Sequence, residues 1–156
     1  MDVTVKRIPE RRVAFVRHIG PYDQCGKAWG ALCARLGAEG RLGPDTRFIG
    51  LSHDDPDVTP PEKLRYDACA TVGDDFEPSG EIGVQTVGGR VYAVAVHKGP
   101  YERLSETYAE LCGQWIPRHD RAMRAEPSLE IYLNDAQSTP PEELLTEVHL
   151  PIEGDV

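Results

Sequence analysis

The chain has 156 residues, enough for one domain or for two small fused units sharing a core. Its net charge of −9, from 17 Lys+Arg against 26 Asp+Glu, makes nucleic acid a poor default partner, since phosphate backbones bind through clustered positive charge. Apolar residues make up 40%, too many for a disordered chain, and no apolar run approaches the roughly 18–20 residues that span a bilayer.

The N-terminal "MDVTVKRIPERR" lacks the apolar middle of a signal peptide, so a cytoplasmic address is expected. A first strand is predicted near 2–8. The β-branched and aromatic "VAFVRHI" (13–19) predicts a second, ended by Gly20. Pro21 suits the first helical turn, and Cys25, Trp29, Leu32 and Leu36 then recur at helical spacing. "RFIGLSH" (47–53) predicts a strand, and "TPPE" after it fits a capping box of Thr59 and Glu62. "LRYDACATV" (64–72) predicts another strand, in which Arg65 and Asp67 share a face and are expected to pair. Residues 73–80 connect to a strand near 81–87, which a "GG" hairpin turn joins to "VYAVAVH" (91–97). The order then repeats: a Gly99-Pro100-Tyr101 corner, and a helix striped by Leu104, Tyr108, Leu111 and Trp115 that Pro117 stops. "SLEIYLN" (128–134), "TPPE" and "LTEVHLPI" (145–152) follow.

The repetition is in the letters themselves. Between 13–37 and 92–116, seven of 25 positions are identical, including "H-x-G-P-Y"; between 50–64 and 130–144, six of 15 are. A period this long means two copies of one supersecondary unit, with repeat one near 2–72 and repeat two near 81–152. A single α+β domain is expected over 1–156, with an antiparallel sheet and two main helices. Cys25, Cys33, Cys69 and Cys112 stand singly, without C-x-x-C, and are expected to be free, unmetallated thiols. The five histidines lack ligand spacing, "HDDPD" (53–57) lacks the glycine and glutamate of a calcium loop, and no phosphate-cradling glycine loop is present. Neither metal nor cofactor is expected. His18 and His97, just before the corners, are expected to bond nearby backbone.

The doubled strand, "GPY" corner, aromatic-striped helix and "DDPDVTPPEKLRYDA", with the later "LEIYLND", resemble the GyrI-like small-molecule-binding domain. The resemblance covers nearly the whole chain. It implies two strand-helix-strand-strand units related by pseudo-twofold symmetry, with a ligand cleft between them. The same domain is the effector-binding part of AraC-type and MerR-type regulators. This chain has no residues to spare for a helix-turn-helix, so it resembles a stand-alone member, without direct DNA binding.

Function is expected where the repeats differ. Position 50 is Gly and its equivalent is Glu130; Ser52 becomes Tyr132, and alternation puts Glu130 and Tyr132 on one strand face. In the family the matching position carries an acidic residue at the base of the cleft, which gives Glu130 that role by resemblance. Read from pattern alone, Glu130 could equally be solvated or a cross-strand ion-pair partner. Tyr92, Tyr108 and Trp29 are candidates to complete an aromatic wall with Tyr132, since aromatic faces attract cations and stack on flat ligands.

Three functions fit. The first is capture of a hydrophobic, aromatic or cationic small molecule by Glu130, Tyr132, Tyr92, Tyr108 and Trp29. The second, by resemblance, is hydrolysis of strained-ring (cyclopropane-bearing) DNA-alkylating natural products, with Glu130 as general base and Tyr92 or Tyr132 orienting the electrophile. The third, also by resemblance, is interaction with DNA gyrase or a regulator through the acidic surface.

Overall fold

β-branched and aromatic residues crowd the segments that become strands, and Gly20 and Gly99 directly follow the two longest. The computed structural model describes all 156 residues. In chain order, β1 is Val3–Arg7, β2 Arg11–Ile19, α1 Gly26–Ala38, β3 Phe48–Ser52, β4 Arg65–Thr71, β5 Ile82–Val87 and β6 Val91–Lys98. The second helix begins as α2 (Leu104–Glu110), widens into a π turn at Leu111–Trp115 and finishes as α3 (Ile116–Arg118); β7 (Ser128–Tyr132) and β8 (Leu145–Pro151) close the chain. The class is α+β. No helix is long and apolar enough to cross a membrane.

The chain divides into two units, Glu10–Gly88 and Met1–Pro9 with Gly89–Val156. In the first, the antiparallel order is β3-β4-β2-β5. Helix α1 lays Ala28, Leu32 and Leu36 on Ala14, Val16, Ala68 and Ala70, whose small side chains let the helix approach the sheet closely. Burying each of those leucines contributes about 1.5–3 kcal/mol. In the second unit, the antiparallel order is β1-β6-β8-β7. Leu104, Leu111 and Ile116 pack there on Ala93, Ala95, Val148 and Leu150, the equivalent floor one repeat later, with larger Val148 and Leu150 in place of Ala68 and Ala70.

Unit membership departs from the repeat boundaries. β1 pairs with β6 and β5 pairs with β2, so each repeat's leading strand joins the other copy. The "GG" hairpin is therefore not formed. Gly88 and Gly89 have the positive φ values of a tight turn, 88° and 76°, but the strands on either side take other partners. Ile8 instead bonds the link, with Gly89 N donating to Ile8 O and Ile8 N to Arg90 O.

The two "GPY" corners are alike. Gly20 and Gly99 sit at φ 138° and 136°, where an L side chain is strained, and donate their N–H to Leu64 O and Leu144 O. His18 and His97 place Nε2 at 2.8 and 3.1 Å from the carbonyls of Pro21 and Pro100, the backbone role expected of them. Pro21 and Pro100 stand ahead of short 3-10 turns, Tyr22–Gln24 and Tyr101–Arg103, which precede the α-helices.

Three local expectations are corrected. Neither "TPPE" forms a capping box: Pro60 and Pro140 occupy the cap positions of single 3-10 turns, without a side-chain cap bond. Pro117 does not stop its helix, which runs on to Arg118. In a regular helix the proline ring would meet the carbonyl four residues back; the preceding π turn, with Ile116 N bonded to Leu111 O, displaces that carbonyl. Arg65 and Asp67 do not pair. Residues two apart on a strand are farther from one another than cross-strand neighbours, so Asp67 binds Arg17 directly opposite while Arg65 reaches Asp54 in the loop. None of the four cysteines is joined in a disulfide.

Candidate functional site

Register fixes which side chains share a face in the Gly89–Val156 unit. Glu130 pairs with Val148 and Tyr132 with Thr146, so all four point to the side on which the second helix packs. Leu129 and Ile131 point to the other side, as the alternation predicts.

On the helix side Glu130 is only 8% exposed, and both of its carboxylate oxygens are held. Tyr108, from the helix stripe, donates its hydroxyl to Oε2 at 2.7 Å; Tyr132, two residues along β7, donates to Oε1 at 2.8 Å. The Tyr108 hydroxyl also lies 3.3 Å from Ser128 Oγ. Burial pushes the Glu130 carboxyl above its ordinary pKa; the two phenols, and more weakly His97, pull it back without restoring it. No Lys or Arg forms an ion pair with this buried acid.

Tyr101 completes the group. Its ring stands edge-on to Tyr132, centroids 5.5 Å apart. Burial chiefly raises its pKa, with the charges of Asp135 and Glu130 adding to the effect. The sequence marks Tyr101 as part of a corner, and its ring contact with Tyr132 is a tertiary contact that a corner motif does not reveal. His97, nearby on β6, has both ring nitrogens committed, Nδ1 at 2.8 Å from Thr107 Oγ1 and Nε2 to Pro100 O. The cluster is thus one buried carboxylate bonded by two phenols, with a third tyrosine ring against the second of them.

Two further expected residues, Tyr92 and Trp29, have the following surroundings. Tyr92 pairs with Lys6 and Pro151 and is on the opposite face of the sheet from Glu130, with its ring edge-on to His149 at 5.9 Å. It is buried, and its phenol pKa is raised chiefly by that burial. The structure does not bring it to Glu130. Trp29 belongs to the Glu10–Gly88 unit, packed edge-on against Phe48 at 6.2 Å and Tyr66 at 6.4 Å. A shallow depression on that unit, lined by Arg11, Arg12, Asp45, Arg47 and Thr71, holds none of the expected residues.

The Glu10–Gly88 unit also buries a carboxylate, with the opposite electrostatics. Asp67 is fully enclosed and accepts from Arg17 at 2.7 and 3.0 Å, His53 at 2.8 Å and Gln85 at 3.0 Å. Burial alone raises its pKa, but the bonds from His53, Arg17 and Gln85 together hold it well below the carboxylate range. A carboxylate so completely satisfied is part of the scaffold. No cluster of three His, Cys, Asp or Glu side chains has the geometry of a metal site.

Comparison with known proteins agrees with this architecture. The model of the GyrI-like small molecule binding domain matches residues 1–153. The chain is 36% identical over 110 residues to the probable transcriptional regulator YgiV of Escherichia coli K12, covering 69% of this chain and 68% of that protein. It is 30% identical over 138 residues to a DNA gyrase inhibitor of Enterobacter lignolyticus, covering 86% and 87%. Among solved structures, the EcmrR C-terminal domain superposes with a TM-score of 0.78 at 24% identity, over 99% of this chain and 98% of that domain. This chain spans 58% of EcmrR as seen in its DNA complex. SAV2435 bound to tetraphenylphosphonium has the same fold, with a TM-score of 0.60 at 17% identity over 99% and 95% of the two chains. With the family model spanning nearly its whole length, this chain belongs to the GyrI-like small-molecule-binding domain family.

Proposed function

We propose that the chain captures hydrophobic cations, with Glu130 as the counter-charge and Tyr101, Tyr108 and Tyr132 as the aromatic surround. The observation that carries this reading is a buried carboxylate held only by neutral phenols. Such a group is costly to enclose unless a positive charge joins it, and no Lys or Arg of the chain does so. Aromatic faces add cation–π attraction of about 0.5–2 kcal/mol each. A neighbour of the same fold bound to tetraphenylphosphonium supports the choice of ligand class. Titration with tetraphenylphosphonium tests it: Glu130→Gln weakens binding about tenfold or more, and unchanged affinity refutes the reading.

A second reading rests on the raised pKa of Glu130 beside two phenols, which also suits a general base next to a positioned electrophile. In that case Glu130 activates water and the phenol is Tyr132 or Tyr108, since Tyr92 lies on the other face. Hydrolysis of a cyclopropane-bearing alkylator, lost in Glu130→Gln while binding survives, selects this reading.

A further inference from the structure

Within the Gly89–Val156 unit one polar atom on the helix-facing side is left unanswered. Thr146 is completely enclosed, and its Oγ1 has no hydrogen-bond partner. Burying a hydroxyl without a partner is unfavourable, and such groups in folded proteins call for an explanation. Thr146 sits in β8 directly between Tyr132 on β7 and His97 on β6, on the face that carries Glu130. Neither neighbour answers it: the Tyr132 hydroxyl is given to Glu130, and both His97 nitrogens are taken.

The other repeat shows what this position does when it is filled. Its equivalent, on β4, is Tyr66, whose ring packs against Tyr22 at 5.8 Å and Trp29 at 6.4 Å. Phe48 in that repeat likewise becomes Ser128 in this one. Where one copy is closed by aromatic rings, the other presents hydroxyls around an acid.

We propose that Thr146 is a specificity-determining contact of the ligand site, whose hydroxyl accepts an N–H from a protonated amine seated against Glu130. The proposal rests on the reading of Glu130 as the cation's partner. An ammonium group offers several N–H donors, and a carboxylate approached from one side takes only some of them. Thr146 and Glu130 are diagonal cross-strand neighbours whose backbone positions are about 7–8 Å apart by strand geometry, and both side chains rise on one face, so a nitrogen seated between them can bond to each. Tyr132, half-exposed and directly beside Thr146, is the side chain that yields when the cation takes Oε1. The site therefore favours primary and secondary ammonium ligands over quaternary onium ions of similar shape, which have no N–H to leave unpaired or to donate.

The test compares 1-naphthylmethylammonium with its N,N,N-trimethyl analogue on the native protein, Thr146→Val, Thr146→Ser and Glu130→Gln. Thr146→Val keeps the shape and removes only the hydroxyl. It is expected to weaken the primary ammonium about tenfold and to change the trimethyl compound less than twofold, while Thr146→Ser retains the native preference. Thermal unfolding of Thr146→Val is expected at or above the native midpoint, because an unpaired buried hydroxyl is removed. Equal losses for both cations, or no loss for either, overturn the proposal. If Glu130→Gln weakens both cations while Thr146→Val weakens neither, only the role of Thr146 falls. If Glu130→Gln weakens neither, the reading of Glu130 falls and the proposal with it.

Discussion

Tyr108 gives its hydroxyl to Glu130 at 2.7 Å from a helix position that in the other repeat is Trp29, while Glu130 stands where that repeat has Gly50. Neither substitution makes sense alone. A carboxylate beside an indole ring would lack this donor, and a tyrosine facing a glycine would have no acid to bind. The two changes together give one copy of a duplicated unit a buried, hydrogen-bonded acid that the other copy lacks.

Tyr108→Phe and Tyr132→Phe each remove one donor from the buried acid. Hydrogen bonds to charged groups contribute about 1.5–3 kcal/mol, so each change should raise the Glu130 pKa further and weaken cation capture at neutral pH. Carboxyl titration followed by NMR checks the first effect and ligand titration the second.

The scaffold carboxylate predicts a different response. Asp67 has a lowered pKa, so its ionised form favours the folded state. That stability is fully present above the unfolded value near 3.9 and is lost as pH falls through the folded value. Asp67→Asn should cost about 3–5 kcal/mol at pH 7, because Arg17 and His53 lose the charge they bind. Its deficit should shrink below pH 4. Urea unfolding at pH 7 and pH 3 measures both.

Gly99→Ala puts a side chain at φ 136° in the second corner and should destabilise the fold by about 1–2 kcal/mol, measurable by denaturant unfolding. Gly113→Ala, at a helical glycine where an added Cβ meets nothing within 4 Å, is the control and should be near neutral or stabilising.

Much of this was legible in the letters. Alternation in "SLEIYLN" placed Glu130 and Tyr132 on one face, and the helix stripes named Leu32, Leu36, Leu104 and Leu111, all of which are buried. What escaped was long-range. As an aromatic strand residue Tyr92 is a candidate for the wall around Glu130, but the pairing of β6 with β8 shows that it faces the other way. Tyr101 and Thr146 gave no signal, one lying in a corner motif and the other being a common strand residue. The hairpin at Gly88-Gly89 failed for the same reason: a turn sequence specifies its backbone and not the partners of the strands it joins.

Glu130→Gln should trade function for stability. A raised folded pKa means the unfolded state holds fewer protons than the folded one between the two values, so the native carboxylate costs stability as pH rises through that window. Removing the charge should raise the unfolding midpoint at pH 7, and the advantage should vanish below about pH 4, where the acid is protonated in both states. Differential scanning calorimetry at the two pH values reads the effect.

The most direct measurement is the affinity for tetraphenylphosphonium as a function of pH, for the native protein and Glu130→Gln side by side. A cation that pairs with the ionised carboxylate must displace any proton on it. Native affinity should therefore rise with pH through the raised pKa of Glu130, level off above it, and exceed that of the variant by about tenfold to a hundredfold at the plateau. The variant's profile should be flat over the same range. Two flat profiles of equal affinity would contradict the assignment of Glu130 as the group that captures the cation.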